Sequence, residues 1–370
     1  MTNPSSIQRI AISTGGGDAP GLNAVIRAAV LSALNRGWEV YGIRDGYNGL
    51  LLPEQFPDGG LVRLTREKVR GITHLGGTII GPTNRNSPLH YPITNEKGEI
   101  EYIDRTDELI RNFRIHHIDA LITVGGDGSL AIGNVLAKKG LRVIGVPKTI
   151  DNDLDGTVVT FGFDTAVTFA TECLDRLHST AASHGRVIVV EVMGRYAGWI
   201  ALHTGVAGSA DAILIPEIPY DISKVAEKIK QRDQQGSNFT IVVVAEGAKP
   251  VGGAVSVVEK ESGRAERLGG IGEKVAAEIQ ALTRKETRVV VLGHLLRGGS
   301  PIANDRLIAL RFGAAAVRAL DEGQAGVMVA LDPPLVNYVP LEEATRRMKA
   351  VPLDCDTILT GRDLGVCFGD

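Results

Sequence analysis

Short apolar runs, most of them rich in β-branched residues, recur along the whole chain. Runs such as VIVVEV, TIVVVA and RVVVLG are continuously apolar rather than alternating. Continuous hydrophobicity is typical of strands that are buried on both faces of a largely parallel sheet. The runs predict strands at Ile7–Ser13, Trp38–Ile43, Ala120–Gly125, Arg142–Pro147, Arg186–Val192, Ala212–Glu217, Thr240–Gly247, Arg288–Gly293 and Gly326–Leu331.

Apolar positions at helical spacing fill the segments between these strands. The stretch GLNAVIRAAVLSALNR carries one such stripe, which indicates an amphipathic helix. Further helices are predicted at Asp107–Arg114, Ser129–Lys139, Phe163–Ala181, Tyr196–Val206, Ile222–Gln234, Ile271–Thr283 and Asp305–Leu320. Alternating strands and helices indicate an α/β fold, and nine strands are many for one sheet, so we expect two sheets.

Composition and charge narrow the class of protein. The 370 residues carry a net charge of −3, which argues against nucleic acid as the main partner. The three cysteines form no CxxC pair, so neither a disulfide framework nor a zinc site is indicated. No apolar run approaches the roughly 18 residues that a membrane helix needs, and no secretory segment opens the chain. We expect a cytoplasmic protein with no membrane partner.

Glycines, 45 in all, cluster where predicted strands end. In parallel α/β sheets, ligands bind beyond the carboxyl ends of the strands. The loop Gly15–Gly21 follows the first strand and offers free N–H groups for a phosphate. It matches neither a Walker A loop nor GxGxxG, and a tight strand-to-helix turn is the alternative interpretation.

A second glycine loop, Gly125–Ser129, contains a carboxylate, Asp127. One Asp beside substrate phosphates is a usual way for a protein to hold Mg²⁺. Asp127 could instead cap the helix that follows.

The stretch PKTIDND, at 147–153, carries the strongest signal for catalysis. Asp151 and Asp153 follow a buried strand, with Lys148 and Thr149 just before them. One carboxylate can accept a proton from a substrate hydroxyl while the other lies near a metal ion.

Arginines at the ends of apolar strands complete the pattern. Arg186 and Arg195 flank the fifth strand, while Arg288 and Arg297 flank the eighth. Arginine binds phosphate bidentately and is always charged. Together with Glu246 after the seventh strand, these residues indicate phosphoryl transfer to a phosphorylated, hydroxylated acceptor.

These motifs resemble the phosphofructokinase A family. The segments GGDAPGLNAVIR, GGDGS, PKTIDND, VVEVMGRYAGW and LGHLLRGGSP match its signatures in kind and order over residues 15–300. The resemblance implies two similar Rossmann-like three-layer α/β domains with largely parallel sheets and the active site in the cleft between them. It implies a homotetramer, with a homodimer as the alternative. The expected donor domain is 1–162 plus 296–346, and the expected sugar-phosphate domain is 163–295 plus 347–370.

The resemblance also implies roles for individual residues. ATP would be bound by Gly17, Arg85, Gly126, Asp127, Gly128 and Ser129, with Asp127 holding Mg²⁺. Asn84 is the alternative to Arg85, because GPTNRNS carries one extra residue relative to the family.

For the acceptor, the family implies Asp151 as the base that activates the 1-hydroxyl of fructose 6-phosphate. Thr149 and Asp153 would assist it, and Arg195 would stabilise the transferring phosphoryl group. The sugar phosphate would be bound by Thr149, Ile150, Asp151, Met193, Gly194, Arg195, Glu246, His294, Leu295, Leu296 and Arg297, and by Arg186 and Arg288 from a neighbouring subunit.

Two residues point to different donors. Gly128 leaves room for the α-phosphate and adenosine of ATP, whereas an acidic side chain there would block and repel them. Lys148 is found in pyrophosphate-dependent members and in some ATP-dependent ones. We favour ATP, because steric exclusion is harder to evade than an additional cation. The alternatives are a pyrophosphate-dependent enzyme, a catalytically silent regulatory subunit and, from the GGDG loop alone, a lipid or NAD kinase.

The chain departs from the family at its basic effector pocket, which binds ADP or phosphoenolpyruvate in regulated bacterial members. Arg27 and Arg66 are present. Four expected cations are replaced by Leu31, His178, Gln235 and Ser237. We therefore expect a weak response to both effectors.

Overall fold

The computed structural model describes residues 7–83, 85–259 and 267–370, and the chain divides into two compact units. Unit 1 comprises residues 1–149, 154–162 and 297–347, and unit 2 comprises residues 150–153, 163–296 and 348–370. The main difference from the predicted domains is that residues 150–153, predicted in the donor domain, group with unit 2.

The strands of both units are introduced here in chain order. They are β1 (Arg9–Thr14), β2 (Glu39–Ile43), β3 (Leu61–Arg63), β4 (Tyr91–Thr94), β5 (Ile100–Ile103), β6 (Ala120–Gly125), β7 (Arg142–Pro147), β8 (Val187–Val192), β9 (Ala212–Leu214), β10 (Thr240–Ala245), β11 (Val257–Glu259), β12 (Arg267–Leu268), β13 (Thr287–Val291), β14 (Val327–Asp332) and β15 (Leu335–Pro340).

The helices alternate with these strands. They are α1 (Leu22–Leu34), α2 (Asn48–Leu51), α3 (Thr106–Ile115), α4 (Asp127–Lys138), α5 (Phe163–His184), α6 (Trp199–Ala207), α7 (Ile222–Gln234), α8 (Ile271–Thr283), α9 (Ala303–Asp321), α10 (Leu341–Ala344) and α11 (Asp356–Asp363). Short 3₁₀ turns lie at Pro53–Gln55 and Gly293–Arg297. Among the described residues, no helix is both long enough and apolar enough to span a bilayer.

Unit 1 is built on a seven-stranded sheet in the order β15-β14-β7-β6-β1-β2-β3. The five central strands are parallel, and β3 and β15 add antiparallel edges. Both faces of the central strands are buried, as their continuous hydrophobicity predicts. Val25 of α1 and Phe312 of α9 pack in one core, whereas Leu109 of α3 and Leu130 of α4 pack in another. The result is three layers.

Unit 2 repeats this arrangement on a smaller scale. Its parallel sheet has the order β13-β8-β10-β9. Val225 of α7 and Ile279 of α8 pack on Val189 and Val242 of the sheet, and α5 and α6 also contact it. The α/β fold is confirmed, and the nine predicted strands fall in these two sheets. Two further antiparallel pairs, β4-β5 and β11-β12, form small two-stranded sheets of their own.

Candidate functional site

In unit 1 the glycine loop after β1 lies beside the start of α4. The N–H of Gly15 donates to the Val124 carbonyl at 2.9 Å, which ties the loop to the end of β6. A methyl group on Gly15 would lie 2.4 Å from the Ser129 hydroxyl oxygen, and one on Gly125 would lie 2.3 Å from its Cβ. Glycine at these two positions is therefore what allows Ser129 to reach the loop.

The first residues of α4 present an open surface. Gly126 is the N-cap of α4, and no side chain forms a capping hydrogen bond there, so Asp127 does not serve as the cap. Both Asp127 and Gly128 are exposed. A Cβ on Gly128 would have no heavy atom within 4 Å. The site thus offers an exposed carboxylate, which can bind a divalent cation, and a helix N-terminus beside open space, which can bind an anion.

Lys148 contacts the glycine loop that follows β1. It follows β7, its side chain is 3% exposed, and its ammonium group donates to the Gly17 carbonyl. A Cβ on Gly16 would be 3.2 Å from that ammonium nitrogen. Lys148 therefore places a buried positive charge directly beneath the backbone of the loop.

Two predicted residues from distant parts of the sequence also lie at this loop. Arg297 donates to the Asp18 carbonyl at 3.2 Å, and a Cβ on Gly17 would be 2.9 Å from its guanidinium nitrogen. Arg85 is exposed, and its N–H donates to Thr83, whose carbonyl accepts from Gly16 at 2.8 Å. The alternative residue, Asn84, lies outside the described residues. Arg297 belongs to unit 1, as does Thr149, whereas the other residues predicted for the sugar phosphate belong to unit 2.

In unit 2, two of the residues predicted for catalysis, Asp151 and Arg195, interact with Glu246. The carboxylate of Glu246 accepts from the N–H groups of Gly194 at 3.3 Å and Arg195 at 2.9 Å. Burial raises the pKa of Glu246 to about 7; these two hydrogen bonds oppose the shift, and the negative charge of Asp151 adds to it. Asp151 is itself only 3% exposed. Two acidic groups therefore share a buried environment, as at many sites of proton transfer.

The backbone after β8 is bent sharply to make this cluster. Gly194 has φ 143° and Arg195 has φ 51°. A Cβ on Gly194 would be 2.6 Å from the Ala197 carbonyl, so only glycine fits this bend. Gly247 is equally constrained, since its Cβ would be 1.9 Å from the Arg195 carbonyl. This close packing orients the N–H groups of residues 194 and 195 toward Glu246.

Other predicted residues line the same carboxyl edge of the unit 2 sheet or the loop at 150–153. Met193 directly follows β8, and His294 and Leu295 are exposed on the 3₁₀ turn after β13, whereas Leu296 is buried. Ile150 is fully buried, and Asp153 is half-buried. Thr149, the last residue of its unit 1 stretch, accepts through its carbonyl from Thr160 at 2.7 Å.

Arg186 and Arg288 lie at the opposite edge of the unit 2 sheet. Arg186 precedes β8, Arg288 is the second residue of β13, and both pair with Glu286. Seven residue steps along β8 separate Arg186 from Met193, which is roughly 23 Å at about 3.3 Å per residue. The two arginines therefore cannot join the Glu246 cluster of their own chain.

Among the described residues, no group of three or more His, Cys, Asp or Glu side chains forms a metal cage. Mg²⁺ commonly binds through one carboxylate plus phosphate oxygens and water, and the exposed Asp127 fits that pattern.

The sequence model of the phosphofructokinase family matches residues 9–320. This chain belongs to the phosphofructokinase family. It is 52% identical over 366 residues to the ATP-dependent 6-phosphofructokinase of Chloroflexus aurantiacus, covering 99% of each chain.

Two further matches bear on the donor and on the fold. The family member from Amycolatopsis mediterranei, 46% identical over 94% of this chain and 97% of its own, is named pyrophosphate–fructose 6-phosphate 1-phosphotransferase. The crystal structure of Pichia pastoris phosphofructokinase in the T-state superimposes with a TM-score of 0.78 at 31% identity. That match covers 94% of this chain and 36% of the yeast chain.

The structure also shows two residues, at or linked to the 150–153 loop, that the sequence patterns missed. Lys349 contacts Asn152, and Glu217 accepts from Gly198 and Val351. Glu217 follows β9 as an acidic residue after an apolar strand, the same signal that singled out Glu246. Lys349 has no such signal, because it lies 197 residues from its partner.

Proposed function

We propose that this phosphofructokinase transfers the terminal phosphoryl group of ATP to the 1-hydroxyl of fructose 6-phosphate and releases ADP and fructose 1,6-bisphosphate. The observation that carries the proposal is the buried acidic cluster of unit 2. There the Glu246 carboxylate accepts a hydrogen bond from the backbone N–H of Arg195, and the negative charge of Asp151 helps to raise the pKa of Glu246. The 52% identity to an ATP-dependent 6-phosphofructokinase supports the same activity. A cytoplasmic location fits a reaction on these soluble metabolites.

In this proposal unit 1 binds the donor. The N–H groups of the Gly15–Gly17 loop and the start of α4 bind phosphate oxygens, and Ser129 and Arg85 contact the nucleotide. Asp127 would hold Mg²⁺, which neutralises charge on the phosphates when bound. The open space at Gly128 accommodates the α-phosphate and adenosine.

Unit 2 binds the acceptor and moves the proton. Asp151 accepts the proton of the 1-hydroxyl as that oxygen bonds to the γ-phosphorus, and the bond to the ADP oxygen breaks. Thr149 and Asp153 orient the reacting groups, and the guanidinium of Arg195 stabilises the charge on the phosphoryl oxygens. Glu246, Met193 and Gly194 contact the sugar, with His294, Leu295, Leu296, Ile150 and Arg297 around it.

In this proposal the guanidinium of Arg195 serves the transferring phosphoryl group, so the acceptor's 6-phosphate requires other cations. Arg186 and Arg288 lie at the far edge of their own sheet, paired with the exposed Glu286. We therefore assign them to the site of a neighbouring copy, so that each site draws on two chains. This assignment makes the active enzyme a homo-oligomer, a tetramer or at least a dimer.

Pyrophosphate is the second candidate donor. The observation that favours it is Lys148, whose buried ammonium lies beneath the glycine loop, where it would attract a compact, highly charged donor. A relative at 46% identity carries a pyrophosphate-dependent name.

One assay separates these possibilities. Purified protein with fructose 6-phosphate and Mg²⁺ is given ATP or pyrophosphate, and fructose 1,6-bisphosphate is measured by coupling to aldolase. We expect turnover with ATP. Turnover with pyrophosphate but not with ATP would mean that pyrophosphate is the donor. No product with either donor would favour the interpretation as a regulatory subunit.

A further inference from the structure

A segment near the end of the chain contacts the loop that carries the proposed base. Within unit 2, the ammonium group of Lys349 donates to the side-chain oxygen of Asn152 at 2.8 Å. The N–H of Lys349 donates to the Asp153 carbonyl at the same distance. One residue thus holds the loop at two adjacent points, on either side of the peptide that follows Asn152.

Lys349 is fixed in turn by the beginning of α6. The indole N–H of Trp199 donates to the Lys349 carbonyl at 2.8 Å, and the Lys349 ammonium lies 5.6 Å from the Trp199 ring centroid. The Glu217 carboxylate accepts from Val351 at 2.9 Å and from Gly198 at 3.0 Å. The segment 349–351 is therefore docked on a helix rather than lying loose.

Asn152 has a conformation that needs support. Its φ is 52°, in the left-handed region, and only 4% of the residue is exposed. Asparagine tolerates this region better than most residues but still at a cost in free energy. The bond from Lys349 is charge-assisted and hence stronger than a neutral one. Because Asn152 directly follows Asp151, support for the Asn152 backbone also restrains the backbone that carries the Asp151 carboxylate.

We propose that Lys349 is a positioning residue for phosphoryl transfer, which acts through Asn152 to hold the Asp151 carboxylate in its productive place. The inference rests on the proposed function, in which Asp151 is the base. A displacement of about 1 Å at a catalytic group can cost on the order of 100-fold in rate. The effect should therefore fall on turnover and not on substrate binding.

Lys349→Met tests this, because it keeps the length of the side chain and removes the ammonium group. We expect kcat to fall by roughly 10- to 100-fold, with KM for fructose 6-phosphate within about twofold of wild type. Lys349→Arg restores a cationic donor and should recover part of the lost kcat. The matched control is Lys285→Met, which removes another half-buried lysine of unit 2 that bonds a side chain, Asp233, and a carbonyl, Asn238.

Several outcomes would overturn the proposal. These are a wild-type kcat in Lys349→Met, an equal loss in Lys285→Met, or a raised KM with kcat unchanged. Asn152→Ala should reproduce the loss, and the double variant should lose little more than either single variant, since both break one interaction. Additive losses would mean that Lys349 does not act through Asn152.

A second readout is independent of activity. Amide hydrogen exchange of the 150–154 segment should be faster in Lys349→Met, or in Lys349→Gln if the first variant folds poorly, and unchanged in Lys285→Met. Unchanged exchange in the Lys349 variants overturns the positioning role. A wild-type protein that forms no fructose 1,6-bisphosphate contradicts the proposed function instead, while exchange still decides whether Lys349 holds the loop.

Discussion

Gly128 is the second residue of α4, and no atom occupies the space that a side chain there would enter. Gly128→Asp should therefore fold normally. We expect it to lose ATP-dependent activity far more than any pyrophosphate-dependent activity, because its carboxylate fills the space for the α-phosphate and repels it. The measurement is kcat/KM for each donor at saturating fructose 6-phosphate.

Gly128→Asn separates the two causes, since it has nearly the shape of aspartate without the charge. A large loss in both variants indicates steric exclusion, and a loss in Gly128→Asp alone indicates repulsion. Unchanged ATP use in both would remove Gly128 from donor selection. Preference of the wild type for pyrophosphate would mean that Lys148 outweighs Gly128.

Asp151 is the proposed base. Asp151→Ser should lower kcat by about 10²- to 10⁴-fold, because general-base catalysis contributes on this scale. Fructose 6-phosphate should still bind, as equilibrium titration of the variant can show. Turnover within a few-fold of wild type would exclude Asp151 from the mechanism.

Glu246 gives the stability of the protein a pH dependence of known sign. Its pKa is about 7 in the folded protein, against an ordinary value of 4.5, because of burial above all. The folded state therefore binds this proton more tightly than the unfolded state, so stability from this group is present below pH 4.5 and is lost as pH rises through 7. Glu246→Gln removes the buried charge while keeping an oxygen that can accept from Arg195.

We expect Glu246→Gln to raise the melting temperature relative to wild type at pH 8, with a smaller difference at pH 5.5. Thermal unfolding of both proteins at the two pH values measures this. An equal difference at both pH values would show that Glu246 does not titrate in this window.

Sequence motifs could group candidate site residues that are neighbours along the chain. Gly126–Ser129 follow β6 and Thr149–Asp153 follow β7, and each segment lies where the carboxyl-edge rule for parallel sheets expects ligand-binding residues. Lys349 and Arg297 could not be placed this way. Their contacts with Asn152 and Asp18 join residues far apart in sequence, and such contacts depend on the tertiary path of the chain.

At the scale of elements, all nine predicted strands are present, with ends that shift by up to three residues. Ala120–Gly125 and Arg142–Pro147 have the predicted bounds, because Ala120–Gly125 is buried throughout and Arg142–Pro147 is buried after its exposed first residue. The edge strands β3 and β15 were missed, since exposed edges need no continuous hydrophobicity. Helix α11 was missed because its sequence, DTILTGRD, is largely polar.

The elements near the expected effector pocket are held by contacts within the chain. His178 on α5 hydrogen-bonds the Gly208 carbonyl at 2.8 Å and meets the edge of Phe239. Arg232 on α7 pairs with Asp211 at 2.7 Å. In unit 1, Arg27 donates to the Val69 carbonyl at 3.0 Å.

We therefore expect little inhibition by phosphoenolpyruvate and little activation by ADP. Each charged contact to an anion contributes roughly 1.5–3 kcal/mol, so the loss of two should weaken binding well over tenfold. Phosphoenolpyruvate is titrated at sub-saturating fructose 6-phosphate. Strong sigmoidal inhibition at micromolar effector, abolished by Arg27→Ala, would show that the pocket is functional.

At the scale of the whole molecule, a site shared between copies predicts complementation. Asp151→Ser and Arg288→Ala should each be nearly inactive alone. Co-expressed, they form hybrid pairs in which one site receives Asp151 from one chain and Arg288 from the other. We expect roughly a quarter of wild-type activity, because random pairing in a two-fold interface makes half the pairs hybrid and restores one site in each.

The activity of each variant purified alone provides the baseline for the co-expressed sample. No gain of activity on co-expression, with hybrids verified by mass, would contradict a shared site and return Arg186 and Arg288 to a structural role with Glu286.

The pairing of β14 with β7 also affects how the protein is made. Val327 pairs with Ile144 in the sheet of unit 1. During synthesis, this edge of β7 therefore stays unpaired until the ribosome has added about 180 more residues. At translation rates of about 5–20 residues per second, the nascent chain spends roughly 10–40 s with that strand edge uncovered. An open edge is a template for wrong pairing. We therefore expect the yield of folded protein to depend on chaperones, although the finished sheet is well buried. Slower elongation should lower the yield of folded protein, because it lengthens the time for which the edge is uncovered.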